Sequence, residues 1–211
     1  MKFNNEVEEY VYKATLWLAK HDIKVIIEKE ELFRDDDGAL LSGEYDAYKG
    51  VVRVGAGADI DDFITTFIHE YCHAKQHIGQ KKCWMVCKNH YKKLDANQVL
   101  FDWMNGKEFS DEVVYTAVQK IRNMELDCEK MTVKELIKHG FDSFVDVTKY
   151  IQDANAYVLF HNMIYLTRKW YGPNYSKDEM NIYKIMPKTF DIDYETIPLD
   201  FYRACIEHCY K

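Results

Sequence analysis

Two histidines and a glutamate carry the clearest chemical signal in this sequence. His69, Glu70 and His73 form the pattern H-E-x-x-H within the segment FITTFIHEYCHAKQ. On an α-helix, positions four apart lie one above the other, so both imidazoles can bind the same metal ion. Glu70 then stands beside the ion and can take a proton from a bound water. The pattern predicts a catalytic zinc site.

The segment that carries these residues has the periodicity of an amphipathic helix. We expect it to begin near Asp59, whose carboxylate suits a helix N-terminus, and to end near Gly79. At about 100° per residue, His69 and His73 fall nearly opposite the centre of the apolar stripe and should face a cleft. The alternative is a solvent-exposed helix face that is merely rich in histidine. The stripe consists of Ile60, Phe63, Ile64, Phe67, Ile68, Tyr71 and Cys72.

A third protein ligand is needed, because a catalytic zinc ion usually has three of them and a water. His77 lies eight residues after His69, and two helical turns would separate the two side chains by about 12 Å along the axis. The extended pattern H-E-x-x-H-x-x-G-x-x-H is absent, since Gln76 and Gly79 occupy its last two defined positions. The third ligand should therefore come from another segment.

Glu125 is the best candidate for that ligand. It stands within the apolar stripe of a predicted helix at about 110–130, where a carboxylate needs a cationic or hydrogen-bonding partner, and a zinc ion is one. The alternative is a structural ion pair with Arg122 or an unseen lysine. Glu129, one turn further on, either orients a ligand histidine or faces solvent. The stripe runs Val114, Ala117, Val118, Ile121, Met124 and Cys128.

The two segments together resemble a known family of enzymes. FITTFIHEYCHAKQ followed by MELDCEKM is similar to the glutamate-zincins, metallopeptidases in which a second helix supplies a glutamate as third zinc ligand. The resemblance covers residues 60–77 and, with less specific motifs, 121–130. It implies that His69, His73 and Glu125 bind Zn²⁺ and that Glu70 is the general base. Glu129 departs from the pattern, because relatives usually carry Asp or Asn there.

The chain also resembles small metallopeptidase-like proteins of phages and prophages. Since the sequence shows no signal peptide and no membrane-spanning run, we expect a cytoplasmic protein, and the likeness to phage proteins implies one made inside an infected host cell. In the mechanism that the resemblance implies, zinc lowers the pKa of its water, Glu70 accepts the proton, and the resulting hydroxide attacks a carbonyl. Zincins add a Tyr or His that stabilises the oxyanion, and we favour His161 and Tyr157. The alternative for His161, on an apolar helix face, is a structural core histidine.

The remaining elements predict an α+β fold, namely a helix-rich, zincin-like single domain over residues 1–211 with a small N-terminal β-sheet. The strand VVRVG at 51–55 leads into the zinc helix. In zincin-like folds the edge strand beside that helix pairs with extended substrate, so the resemblance implies this role for 51–55. The alternative is an internal strand. We also expect a helix at 7–20, a strand at 23–28, a hairpin at 44–54, and further helices at 132–139 and 143–170.

Charge and cysteine content narrow the class of protein further. A formal net charge of -7 argues against a surface that binds nucleic acid, and no signal peptide or apolar run long enough to cross a membrane is seen. The six cysteines should be reduced. Two CxxxC pairs, Cys83 with Cys87 and Cys205 with Cys209, could each form half of a metal site, but buried thiols in the core are the simpler interpretation.

Taken together, these features predict a zinc-dependent metallohydrolase, and more specifically a peptidase that acts on peptide or protein substrates. Neither nucleic acid nor a membrane is expected as a partner. A zinc-containing binding or regulatory protein without catalysis is one alternative, although Glu70 argues against it. A zinc hydrolase of a non-peptide amide is another, because the chemistry at the metal would be the same. The substrate and the oligomeric state stay open.

Overall fold

The computed structural model describes residues 5–36, 38–57, 59–170 and 182–210. This part of the chain combines seven α-helices with a small amount of β-sheet, which confirms the predicted α+β class. The helices are α1 (Asn5–Ala19), α2 (Ile60–Ile78), α3 (Lys82–Lys88), α4 (Ala96–Met104), α5 (Asp111–Lys138), α6 (Val147–Thr167) and α7 (Leu199–His208). The strands are β1 (Lys24–Glu28), β2 (Phe33–Arg34), β3 (Leu40–Leu41), β4 (Gly43–Asp46) and β5 (Val51–Gly55).

The chain divides into two compact units. The first unit comprises Met1–Lys81 and Met131–Val145, and the second comprises Lys82–Lys130 and Asp146–Lys211. Helix α5 contributes residues to both of them. The expectation of a single domain over residues 1–211 stays a prediction.

In the first unit, a three-stranded sheet has the order β1-β5-β4. Strand β5 pairs in parallel with β1 and antiparallel with β4, so it is the central strand. The expectation that 51–55 forms the edge strand is therefore wrong, and β4 occupies an edge. The predicted hairpin gave β5 one neighbour, the strand now seen as β4. The second neighbour, β1, comes from an earlier segment that is not part of the hairpin. Val52 and Val54 point from the centre of this sheet into the core, where both are fully buried.

Helix α2 follows β5 and lies against the sheet. Its apolar stripe is buried as predicted, with Phe63, Ile64, Phe67 and Ile68 fully inaccessible to solvent. The helix has Asp59 at its N-cap position, although the Asp59 side chain makes no capping hydrogen bond, and Gly79 at its C-cap. Two further acidic side chains in the first turn favour the positive end of the helix dipole. Sequence periodicity therefore located this helix to within a residue.

The second unit is built from helices and contains two clusters of buried apolar side chains. One cluster joins α3 and α4 to α5, and the other joins α6 and α7 to the segment that contains Ile182, Met186 and Tyr194. Helix α5 runs without interruption to Lys138, so the prediction of separate helices at 110–130 and 132–139 is wrong. No glycine or proline stands near Lys130 to end the helix there. Within the described part of the chain, no helix combines the length and apolar character that crossing a bilayer requires.

Candidate metal centre

His69 and His73 lie side by side on α2. Their Nε2 atoms are 3.1 Å apart, and their ring planes are nearly perpendicular at 83°. Two nitrogens that each lie about 2.0–2.1 Å from one tetrahedral zinc ion are themselves about 3.3 Å apart. The observed separation is close to that value. His73 is buried and His69 is half-buried, so the alternative of a solvent-exposed histidine-rich face is wrong for His73.

The orientation of His73 is set by Gln76, one turn further along α2. The amide oxygen of Gln76 lies 3.0 Å from Nδ1 of His73, and Gln76 is fully buried. An amide oxygen accepts a hydrogen bond, so Nδ1 carries the proton and Nε2 of the neutral ring keeps its lone pair. A histidine that binds a metal through Nε2 needs this tautomer. Sequence analysis missed Gln76, although a polar residue three positions after His73 was a usable signal.

A thiol joins the two imidazoles. Among the described residues, His69, His73 and Cys128 form a group whose donor atoms all lie within 4.8 Å of one another. Nitrogen and sulfur donors are those that zinc prefers. This group could bind a metal ion. Sequence analysis placed Cys128 only in the apolar stripe of α5, and did not consider it as a ligand because a buried cysteine normally serves as a small apolar side chain.

Glu125 is buried on α5, as its position in the apolar stripe predicted, with 7% of its surface exposed. Within the second unit its charge acts on two buried groups. Burial and, to a smaller extent, the charge of Glu125 together raise the pKa of Cys87 to about 12. Burial lowers the pKa of His161, and Glu125 opposes that effect. Glu125 therefore has buried neighbours of its own, and its role as a metal ligand stays a prediction.

Arg122 does not supply the ion pair that was the alternative for Glu125. The Arg122 guanidinium is 1% exposed and donates hydrogen bonds to Glu195, Asn162 and Asn123. Of the two alternatives for Glu125, the pair with Arg122 is wrong. A pair with a lysine remains the other possibility that the sequence left open.

Glu70 lies next to the edge strand β4. It is 8% exposed, and a Cβ atom built on Gly43 would stand only 2.8 Å from its Oε1. Two residues further along β4, the Tyr45 hydroxyl is 2.7 Å from Nδ1 of His77. Strand β4 therefore runs along the side of α2 that carries the carboxylate. The expectation that an edge strand lies beside this helix is met by β4 instead of 51–55.

The side chains favoured as oxyanion stabilisers lie on α6 in the second unit. His161 is 3% exposed, and its Nδ1–H donates to the backbone oxygen of Tyr157 at 3.1 Å. Its ring also packs edge-on against the rings of Tyr157 and Trp170, each with a centroid distance of 5.1 Å. Since burial lowers the pKa of His161, its imidazole is neutral near pH 7. These contacts suit the core-histidine alternative, and the oxyanion role of both residues stays a prediction.

Two further polar residues that could bind metal have other partners. Glu129 is buried and accepts a hydrogen bond from the Tyr150 hydroxyl, so the alternative in which Glu129 faces solvent is wrong. His90 uses both ring nitrogens, since Nε2 donates to the Val113 carbonyl and Nδ1 accepts from Lys120. Burial lowers the pKa of His90 as well.

None of the six cysteines, all of which lie in the described part of the chain, forms a disulfide, as predicted. Cys87, Cys205 and Cys209 are buried, which confirms for these three the interpretation as core thiols. Cys83 differs, because it is only half-buried and its Sγ lies 3.6 Å from a carboxylate oxygen of Asp127. Among the described residues, neither CxxxC pair belongs to a group of three metal-binding side chains.

Comparison with known proteins returned no relative: no family model, no curated protein and no solved structure matches this chain. The likeness to glutamate-zincins therefore depends on the two motifs that carry it.

Proposed function

We propose that this protein is a zinc-dependent hydrolase that cleaves peptide bonds, with His69 and His73 as metal ligands and Glu70 as general base. The observation that carries the proposal is the 3.1 Å separation of the two Nε2 atoms. Gln76 supports it, because its amide oxygen selects the tautomer in which His73 can donate its Nε2 lone pair. A pair of histidines that served only to pack a core would not need that arrangement.

The third ligand in this proposal comes from α5. Cys128 is favoured by distance, because its thiol belongs to the same group of donor atoms as both imidazoles. Glu125 is favoured by the resemblance to glutamate-zincins and by the cost of burying a carboxylate. Either choice leaves a fourth position for water, as a catalytic zinc site requires.

Zinc bound at this centre would supply a Lewis acid that lowers the pKa of a ligated water and polarises the scissile carbonyl. The carboxylate of Glu70 accepts the proton that the water loses. Glu70 then delivers this proton to the amine as the peptide bond breaks. Because Glu70 is largely buried beside β4, bulk water competes little for its carboxylate oxygens.

A peptide is the favoured substrate, and the support is the edge position of β4. Strand β4 pairs with β5 on one side and is the last strand of its sheet in the described part of the chain. The backbone of an edge strand can pair with an extended peptide. Gly43 and Tyr45 of this strand contact α2 on the side that carries Glu70.

Two alternatives differ from this proposal, one in what it requires of Glu70 and the other in the bond that it cleaves. A zinc-containing binding or regulatory protein needs no proton acceptor, and its metal is normally closed off by a fourth protein ligand. A hydrolase of a non-peptide amide would use the same three side chains. Only the nature of the cleaved bond separates that enzyme from a peptidase.

The experiment that tests the proposal combines metal analysis with the detection of new protein N-termini. Purified protein should contain one zinc per chain and should generate new N-termini in a proteome lysate. Glu70→Gln is the matched control, because the amide keeps the shape of the carboxylate but cannot accept the proton. It should retain zinc and generate new termini only at a small residual rate. Zinc without new termini in the unaltered protein would favour the non-catalytic alternative.

A further inference from the structure

Gly43 makes the closest contact between the edge strand β4 and the helix α2. A Cβ atom at this position would lie 2.5 Å from Cγ2 of Thr66, 2.8 Å from Oε1 of Glu70 and 3.0 Å from Cγ of Glu70. Real Cβ atoms essentially never approach other heavy atoms to less than 3.0 Å. Only glycine therefore fits between the strand and these two side chains as they stand.

The backbone of Gly43 gives no separate reason for a glycine. Its φ angle lies outside the left-handed region, unlike those of Gly38 and Gly50. Gly43 also pairs with Val54 in the regular antiparallel register of β4 and β5. Any residue could adopt this extended conformation, so the need for glycine arises from the space taken by Thr66 and Glu70.

Strand β4 is held in place on both sides, so it cannot easily retreat from a larger residue at position 43. Tyr45 pairs with Val52 in the sheet, and its hydroxyl is 2.7 Å from Nδ1 of His77 on α2. Burial raises the pKa of Tyr45 to about 12, so the phenol stays neutral at this contact. A methyl group at position 43 would therefore move the more flexible partner, which is the Glu70 side chain.

We propose that Gly43 is a positioning residue for the Glu70 carboxylate, because the bare backbone of β4 forms the surface against which this carboxylate rests. The inference depends on the proposed function for its catalytic consequence, since it assumes that Glu70 takes a proton from water. The geometric claim, that Gly43 sets the position of the Glu70 carboxylate, does not depend on the proposed function. A displacement of about 1 Å at a catalytic group can lower a rate by about 10²-fold.

Four variants separate a contact with Glu70 from a contact with Thr66. Gly43→Ala introduces both clashes, whereas Thr66→Ser removes Cγ2 and keeps the hydroxyl. In the double variant Gly43→Ala/Thr66→Ser, only the clash with Glu70 remains. The fourth variant, Gly43→Ala/Glu70→Gln, tests whether position 43 acts through the carboxylate. Zinc affinity, thermal unfolding and kcat are measured on each.

We expect Gly43→Ala to lower kcat by about 10²-fold with zinc affinity unchanged, because the three atoms nearest to the new methyl group belong to Thr66 and Glu70 and not to a proposed ligand. The double variant Gly43→Ala/Thr66→Ser should recover thermal stability, but its kcat should stay as low as that of Gly43→Ala. In the Glu70→Gln background, Gly43→Ala should lower the residual rate no further. Recovery of kcat in the double variant, or an equal further loss in the Glu70→Gln background, would overturn the inference.

A spectroscopic measurement keeps the geometric claim testable even if the protein hydrolyses nothing. The carboxyl ¹³C resonance of Glu70 can be identified in glutamate-labelled protein by its loss in Glu70→Gln. It should shift between Thr66→Ser and Gly43→Ala/Thr66→Ser. An unmoved resonance would overturn the positioning role, whereas a moved resonance with no activity in the unaltered protein would reject only the proposed function.

Discussion

The amide oxygen of Gln76 and Nδ1 of His73 form a buried hydrogen bond of 3.0 Å within one turn of α2. The same imidazole directs its other nitrogen towards Nε2 of His69. One side chain thus determines which nitrogen of the second histidine is free to bind a metal. Changing a residue that holds a ligand in this way typically lowers metal affinity by about 10-fold to 100-fold.

Replacement of Gln76 should weaken metal binding without touching a ligand. Leucine has a similar volume to glutamine but cannot accept the hydrogen bond from Nδ1–H of His73. We therefore expect Gln76→Leu to lower zinc affinity by about 10-fold to 100-fold. Gln76→Glu is the control, because its carboxylate can still accept the hydrogen bond. Competition titration with a zinc chelator measures both. Equal affinities for Gln76→Leu and the unaltered protein would show that His73 needs no orienting partner.

The third ligand can be identified by comparing Cys128 and Glu125. We expect Cys128→Ser to lower zinc affinity by at least about 10-fold to 100-fold, since losses of that size follow even from changes outside the ligand set. If Glu125 ligates zinc, Glu125→Gln should show a loss of this kind and Glu125→Leu should give a folded protein without zinc. If Glu125 instead belongs to a buried ion pair, removing its charge should cost about 3–5 kcal/mol of stability and leave zinc affinity nearly intact.

Zinc affinity and the unfolding midpoint, measured on the same variants, distinguish these cases. Cys128→Ser with unchanged affinity would remove the thiol from the site. Full zinc affinity with lowered stability in Glu125→Gln would exclude the Glu125 carboxylate as a zinc ligand. His77, His90, His161 and Glu129 would then be tested as ligands if both were removed.

Stability in acid should depend on Glu135, which accepts hydrogen bonds from Lys75 and Tyr10 in the first unit. Burial, the largest single effect, would raise the pKa of Glu135, but Lys75, Lys138 and the Tyr10 hydrogen bond together outweigh it and the net pKa is lowered. A carboxyl with a lowered folded-state pKa stabilises the fold above its unfolded value near 4.3, and this contribution is lost as the pH falls through the folded-state pKa.

We therefore expect Lys75→Met to reduce the free energy of unfolding by about 0.5–1 kcal/mol at pH 7, after allowance for partial exposure, and by less near pH 3. Lys13→Met is the control, because its pair with Glu9 is exposed on both sides and screened by solvent. Denaturant unfolding across this pH range measures the difference. If the loss of unfolding free energy in Lys75→Met instead grew as the pH fell, the expected pH dependence would be wrong.

The helical cysteines Cys205 and Cys209 should contribute to stability and bind no metal. Both are buried, Cys205 on α7 and Cys209 at its C-cap, and the hydrogen bond to Cys209 together with burial raises the pKa of Cys205. Serine at either position buries a hydroxyl, which should cost about 1–3 kcal/mol when it lacks a partner. Metal analysis should still find one zinc per chain. A second tightly bound zinc that disappears in the serine variants would reverse this interpretation.

Local periodicity explains why part of the site could be predicted from sequence. The four-residue spacing of His69 and His73 and the apolar stripe beside them depend only on the geometry of a single helix. The burial of Glu125 followed from the same argument applied to α5. Each of these predictions concerns side chains on one element, whose relative directions are set once that element is helical.

Long-range pairing explains what could not be predicted. The hairpin identified β4 as a neighbour of β5, but the parallel partner β1 on the other side made β5 internal and left β4 beside Glu70. Which stretch of chain comes to lie against a helix is decided by packing among many distant side chains, and no local spacing encodes it.

The sequence by itself determined the α+β class, the limits of α2 and the pair of histidines that the helix holds together, because hydrogen bonds within a helix set these over a few residues. Only the tertiary structure decided that Gly43 lies against Glu70 and that Arg122 pairs with Glu195 instead of Glu125. Such contacts depend on how separate elements fill space together, and close packing allows only the arrangement in which all of them fit.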